Sequence, residues 1–320
     1  MRRPNNESCE ELNRRYGAPG RIVFRPSADT GAPVVVLANK YGTCEVDLMG
    51  ARVISYRPTG QSNVLFTPKS MKPTEPGGWT HGGIPVCWPW FSRNGEPGSP
   101  AHGMARSQVF TPRASEYSDD ATELTLALVS DDETKRAWPY DFDLTVKISV
   151  SMSLNVTLNA KNTGTEKFWV TEGFHPYFLV RDASKCRVRG VEGAALCNTL
   201  QCSAPFTAKS FTGAWKGDLS VDGELDHVFS APDGEYGLFD PGLNRTIVVR
   251  SRGNKKLIVW RPSSEYDGQN MEKGDNAHMV CVEPATIFRD EGYFLEPGKT
   301  HELRMAVQCD PNDGSVHSRN

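Results

Sequence analysis

FDLTVKISVSMSLNVTLNA, residues 142–160, decides the fold class. Every even position is apolar (Phe142, Leu144, Val146, Ile148, Val150, Met152, Leu154, Val156, Leu158, Ala160), and the odd positions are mostly polar. A period of two marks a pleated strand with one buried face, because successive side chains point to opposite sides of a sheet. One straight strand of this length would reach roughly 60 Å, about three times the usual, so the chain is expected to reverse at 151–153.

Outward from this stretch the same rhythm continues. Upstream, β-branched runs at 22–24, 34–37, 44–48, 52–56 and 64–66 alternate with Gly, Pro, Asn or Thr turns; downstream, runs at 245–250, 257–260, 279–283 and 302–307 repeat the pattern. No long amphipathic helix interrupts the first third, and no shift in composition marks a second domain. The expectation is an all-β chain, one large antiparallel β-sandwich over residues 20–310. A mobile N-terminal tail, 1–19, broken by Pro4, Gly17 and Pro19, precedes it, and a polar tail, 311–320, follows. Segments 71–102 and 182–222, rich in Gly, Pro and aromatic or small residues, resist the strand pattern. They are expected to be irregular connections of the kind that carry function.

Composition narrows the partners. With 36 basic and 39 acidic side chains the net charge is -3, which gives no bulk attraction to nucleic acid or to an anionic membrane. An anionic ligand must be caught locally. The eight cysteines include no CxxC or CxxH spacing, so they read as reduced thiols rather than a zinc site. No stretch approaches the ~20 apolar residues of a membrane span, and Met1-Arg2-Arg3 lacks a following apolar run. A soluble, cytoplasmic monomer acting on a small molecule is expected; Ser318-Arg319-Asn320 matches a peroxisomal Ser-Lys-Leu signal only loosely.

Three stretches carry chemistry. In TEGFHPYF, 171–178, one imidazole, His175, is set between Gly173 and Pro176 among aromatics, a setting that holds a ring still. An isolated histidine there is more often a core residue than a proton donor. HGGIPVCWPWF, 81–91, is followed by HGMAR, 102–106. Trp79, Trp88 and Trp90 offer flat walls for a sugar ring, or else an aromatic core corner, while His102 and Arg106 favour a pocket and a site for a phosphate or carboxylate. In HMVCVEPA, 278–285, Glu283 ends an apolar strand before Pro284. Partial desolvation there would raise its pKa toward that of a general base; a strand-end glutamate facing solvent is the plain alternative.

HGGIPVCWPWF, HGMAR, TEGFHPYF and CVEPA, in this order, resemble the aldose 1-epimerase superfamily, specifically its glucose-6-phosphate 1-epimerase branch, from about residue 21 to 308. The resemblance implies a galactose-mutarotase-like β-sandwich and anomer interconversion of a hexose 6-phosphate without metal or cofactor. It implies that His175 is the catalytic acid and Glu283 the base. His102 and Arg106 match pocket residues, Asp226 in ELDHVF, 224–229, matches a sugar-hydroxyl ligand, and His81 and Trp260 complete the substrate-binding set. Relatives usually carry arginine where His81 stands, helping to hold the phosphate, and tend to have Asn-Pro where Arg261-Pro262 stands. Lys72 or Arg93, or a His81 protonated by its ligand, would have to replace that arginine. The acid role also asks for a charged His175, so Glu172, Asp226 or Glu283 is expected to raise its pKa above ~6.5. Alternatives are an epimerase for unphosphorylated aldoses and a non-catalytic carbohydrate-binding protein. A glycoside hydrolase, which would need two carboxylates flanking the scissile bond, is the weaker reading.

Overall fold

A computed structural model describes residues 7–69, 80–93, 99–202, 210–266, 268 and 270–312. The deciding stretch forms two strands, Phe142–Val150 and Leu154–Asn162, paired antiparallel from Phe142 opposite Asn162 to Val150 opposite Leu154. The reversal falls at Ser151, whose N–H donates to the Ser153 carbonyl at 2.9 Å. Met152 sits at the tip and is 72% exposed, so its place in the alternation is accidental; the other nine even positions are buried.

This hairpin is the middle of a nine-stranded sheet running Leu219–Ser220, Arg187–Arg189, Gly234–Asp240, Arg245–Arg252, Thr300–Pro311, Leu154–Asn162, Phe142–Val150, Thr122–Val129, Thr111–Tyr117. A second, eight-stranded sheet runs Thr212–Ala214, Ala195–Asn198, Leu225–Phe229, Lys256–Arg261, Met279–Thr286, Glu172–Phe174, Val86–Cys87, with Tyr177–Leu179 also paired to Met279–Thr286. Their ladders are antiparallel. Inward side chains of both meet in one core: Leu144, Val146, Ile148 and Leu158 from the first, Phe229, Leu257, Val259, Val280 and Val282 from the second. The chain is therefore an antiparallel β-sandwich. A four-stranded sheet, Ile22–Arg25, Val34–Asn39, Gly42–Asp47 and Arg52–Pro58, adds Leu37, Val46 and Val53 to that core.

Several expectations change. Within the expected N-terminal tail, Cys9–Tyr16 form a helix that buries Leu12 in the core, and residues 1–6 lie outside the described residues. Ser8 Oγ caps it by accepting the Glu11 N–H at 3.2 Å, and Glu10, Glu11, Arg14 and Arg15 suit the two ends of its dipole. The run at 64–66 makes one isolated bridge, Leu65 to Phe178, rather than a strand. The described residues of segment 182–222 hold four short strands, and within 71–102 Val86–Cys87 joins the second sheet. The expected C-terminal tail begins inside Thr300–Pro311, and residues 313–320 lie outside the described residues. All eight cysteines are free thiols. Among the described residues no helix is long and apolar enough to cross a membrane.

Candidate active site

The alternation that fills the core also builds the site. In four adjacent strands of the second sheet, the residues between the core positions face outward. Val228, Ile258 and Glu283 form one cross-strand row, and Asp226, Trp260, Cys281 and Tyr177 form the next. A cavity of about 990 Å³ lies over this face.

His175 stands between strands Glu172–Phe174 and Tyr177–Leu179. Its N–H donates to the Pro85 carbonyl at 3.1 Å, and Tyr177 N–H donates to the Gly83 carbonyl at 2.8 Å, so HGGIP and TEGFHPYF are laced together. The lacing depends on Gly83, at φ 70°, where a Cβ would lie 2.2 Å from the Val53 carbonyl oxygen. The imidazole is stacked on Tyr177 (4.8 Å between centroids, 16°) and near-parallel to Phe91 (6.4 Å, 11°), with Trp260 and His102 edge-on at 5.8 and 5.3 Å. Gly173 makes room for that arrangement: a Cβ there would lie 2.8 Å from the Phe91 ring and 2.5 Å from the Ala285 Cβ.

His175 Nε2 lies 3.4 Å from Glu283 Oε1. Glu283 sits inside Met279–Thr286 rather than at a strand end, and it is 1% exposed. The expected charge on His175 is not what the surroundings favour. Burial first, then the nearby Arg106 and His81, push the imidazole down to about 3. Burial, reinforced by Asp226, raises Glu283 well above the usual carboxylate range. A separation of 3.4 Å would suit an ion pair, but desolvating two charges costs more than their attraction returns at this depth. The surroundings favour a neutral pair, with the proton on Glu283 rather than on His175. His175 Nδ1 and Glu283 Oε2 are buried polar atoms without a hydrogen-bond partner among the described residues. Cys281 adjoins them, one donor atom of each of the three lying within 4.8 Å of the others; burial pushes its thiol well up, so it packs as a neutral group.

The proton inventory fixes a pH dependence of stability. Between the ordinary values of 4.5 for glutamate and 6.5 for histidine, the unfolded pair also carries one proton, on its histidine, so the pair contributes no slope. Below that window the unfolded chain binds a second proton and the folded pair does not, so stability falls as pH drops toward about 3. Above it the unfolded chain loses its proton while folded Glu283 keeps one, so stability falls as pH rises. Each flank approaches ~1.4 kcal/mol per pH unit. In urea melts, Glu283→Gln is expected to remove the alkaline flank relative to wild type and His175→Asn the acid flank; unchanged flanks would contradict a neutral pair.

The family model for aldose 1-epimerase matches residues 33–308. The chain belongs to the aldose 1-epimerase family. A protein of Escherichia coli (strain K12) named "Putative glucose-6-phosphate 1-epimerase" is 29% identical over 82% of this chain and 85% of its own length. A solved structure from Salmonella typhimurium, described as a "putative mutarotase (YeaD)", superposes with a TM-score of 0.81 at 26% identity, covering 92% of this chain and 95% of that one. A galactose mutarotase related enzyme from Lactobacillus acidophilus shares the fold at a TM-score of 0.69 and 15% identity, over 87% and 98% of the two chains. The sandwich is thus of the galactose-mutarotase-like kind, and this aldose 1-epimerase family member is an isomerase of the epimerase class.

In this epimerase fold the cavity gathers His175, Glu283, His81, His102, Asp226 and Trp260. Thr199 fixes Asp226's strand, its N–H and Oγ1 donating to the Asp226 carbonyl at 3.0 and 3.1 Å, and burial raises the Asp226 carboxyl. His102, at φ 60°, is held neutral by burial and the neighbouring His175 and Arg106. His81 is 2% exposed, with Nε2 3.0 Å from the Tyr266 hydroxyl and Nδ1 3.3 Å from Asn270 Oδ1. Arg106 is not among the lining residues; its buried guanidinium donates to the Ala101 carbonyl and is pushed down to about 10 by burial. Of the expected aromatic walls, Trp90 lines the cavity, Trp88 is fully buried in the core 4.6 Å from Phe142, and Trp79, like Lys72, lies outside the described residues. Arg261 faces away and donates to the carbonyls of Asn276, Val221 and Gly223. Tyr177, Trp138, Trp169 and Arg289 also line the site and went unread in the sequence, since they join it only through strand pairing and loop packing.

Proposed function

We propose that this protein interconverts the α and β anomers of a hexose 6-phosphate, glucose 6-phosphate first among them, by opening and reclosing the sugar ring. The observation that carries the reading is the His175–Glu283 pair, 3.4 Å apart at the base of a cavity walled by Tyr177, Trp260 and Phe91. The name given to the Escherichia coli relative supports the phosphorylated substrate.

The pair holds one proton throughout. Ring opening starts with that proton on His175: Glu283 takes the anomeric O1–H proton while His175 gives its own to the ring oxygen, and the bond from C1 to the ring oxygen breaks. Rotation about C1–C2 and the reverse transfers then close either anomer. The neutral resting pair, Glu283 protonated and His175 free to accept, is the form that closes an open chain. Entering ring opening requires the proton to pass from Glu283 to His175, and sugar hydroxyls bound at Asp226 and the pair would supply the hydrogen bonds that stabilise the charged form. No proton need be exchanged with water between turnovers.

The test is exchange NMR of glucose 6-phosphate with catalytic amounts of protein. Interconversion well above the spontaneous rate is expected, and a rate equal to the spontaneous one at saturating protein would reduce the molecule to a binding protein. One observation favours a second reading, an epimerase for unphosphorylated aldoses: His81, where relatives usually carry arginine, is engaged by Tyr266 and Asn270. Glucose at the same concentration distinguishes the two.

A further inference from the structure

A 6-phosphate needs a cationic partner; of the residues that the sequence offers, His81 and Arg106 are committed elsewhere and Lys72 lies outside the described residues. His81 is buried against Tyr266 and Asn270, and the guanidinium of Arg106 is turned to a backbone carbonyl outside the cavity lining. Arg93, the remaining candidate from the sequence, does line the cavity, as does Arg289, and both are exposed. Arg93 follows Phe91 by two residues and Arg289 follows Phe288, and these phenylalanines belong to one apolar cluster with Cys87, Val228, Ile258 and Ala285. The Arg289 guanidinium carbon lies 5.7 Å from the ring centroid of Trp169, which lines the cavity too. A tryptophan face restrains a guanidinium without using its N–H donors. The nearby acid Glu291 is already paired with Lys256 at 2.9 Å.

We propose that Arg93 and Arg289, the latter steadied by Trp169, form the anion subsite of this cavity and select a phosphorylated sugar. This rests on the function proposed above for its substrate, and it moves the phosphate grip away from the Gly82-Gly83 bend. The guanidinium fork suits two phosphoryl oxygens at once, and at a solvent-reached rim it pays little desolvation.

The experiment uses the full chain and the variants Arg93→Gln, Arg289→Gln and His81→Gln, each checked for an unchanged circular dichroism melt. Phosphorus NMR titration with inorganic phosphate reads the subsite directly. Each arginine variant is expected to weaken phosphate binding about tenfold or more, and to lower the ratio of kcat/KM for glucose 6-phosphate to that for glucose by a similar factor. Loss of phosphate affinity in His81→Gln with none in the arginine variants would hand the subsite to His81. Equal losses on both sugars would make the arginines general wall residues, which also overturns the proposal. A wild-type protein that accelerates neither sugar would sink the functional reading, while the phosphate titration would still decide the subsite.

Discussion

Glu283→Gln is expected to slow catalysed anomerisation of glucose 6-phosphate by about 100- to 10,000-fold, the range for removing a positioned acid or base. The fold should survive the change at neutral pH. Glu283 is buried and burial favours its protonated form, so a glutamine of the same shape stands in for a neutral carboxylic acid rather than a charge. Wild type must also take up that proton on folding above its ordinary value of 4.5 and the variant need not, so the variant's thermal midpoint near pH 6 should equal or exceed that of wild type. The variant still presents hydrogen-bonding atoms toward His175 and the cavity, so sugar binding should persist while turnover disappears. Exchange NMR measures turnover and ligand titration measures binding. Full activity would remove Glu283 from the chemistry, and loss of binding along with activity would make it a ligand rather than a base.

The sandwich was legible because its alternation is local. Residues 142–160 fixed two strands, their buried face and the turn between them, and the runs at 245–250, 257–260, 279–283 and 302–307 each fall inside a strand. The N-terminal helix was legible too but passed over: Ser8 three residues before Glu11, acids in the first turn and bases in the last, are its start and stop signals. Segment 182–222 was not readable. Its strands are two to four residues long, shorter than any periodicity can register, and they exist because neighbouring strands offer them partners.

The site divides the same way. That His175 and Glu283 share a cavity agrees with their motifs, but the direction of their pKa shifts could not be read there, because desolvation depends on how deep the second sheet sets them. The sequence suggested that neighbouring carboxylates would raise His175; burial, with Arg106 and His81 beside it, lowers it instead. Arg289 illustrates the other limit. Nothing in TIFRDEG marks it, and only the packing of Phe288 with Phe91 and the edge of the Trp169 strand bring it to the cavity. Trp88 is the converse case, an aromatic in the right motif whose ring points into the core against Phe142.

His175→Asn should cost as much activity as Glu283→Gln, about 100- to 10,000-fold, and the double variant should cost little more than either. The reason is the shared proton. Each half-reaction moves one proton from the sugar to one partner and one from the other partner to the sugar, so a lone acid or a lone base can complete neither opening nor closing. Asparagine also leaves a gap beside Tyr177 and Phe91, which stack on the imidazole, and about 1–2 kcal/mol of stability should go with it. That structural loss is separable, because it lowers the urea midpoint whether or not Glu283 is present, whereas the catalytic loss should not grow when the second partner is removed. If the two residues acted independently, the double variant would lose the product of the two factors. Rate losses that multiply would therefore show two separate catalytic groups in one cavity, and losses that saturate would identify His175 and Glu283 as a single proton-transferring unit.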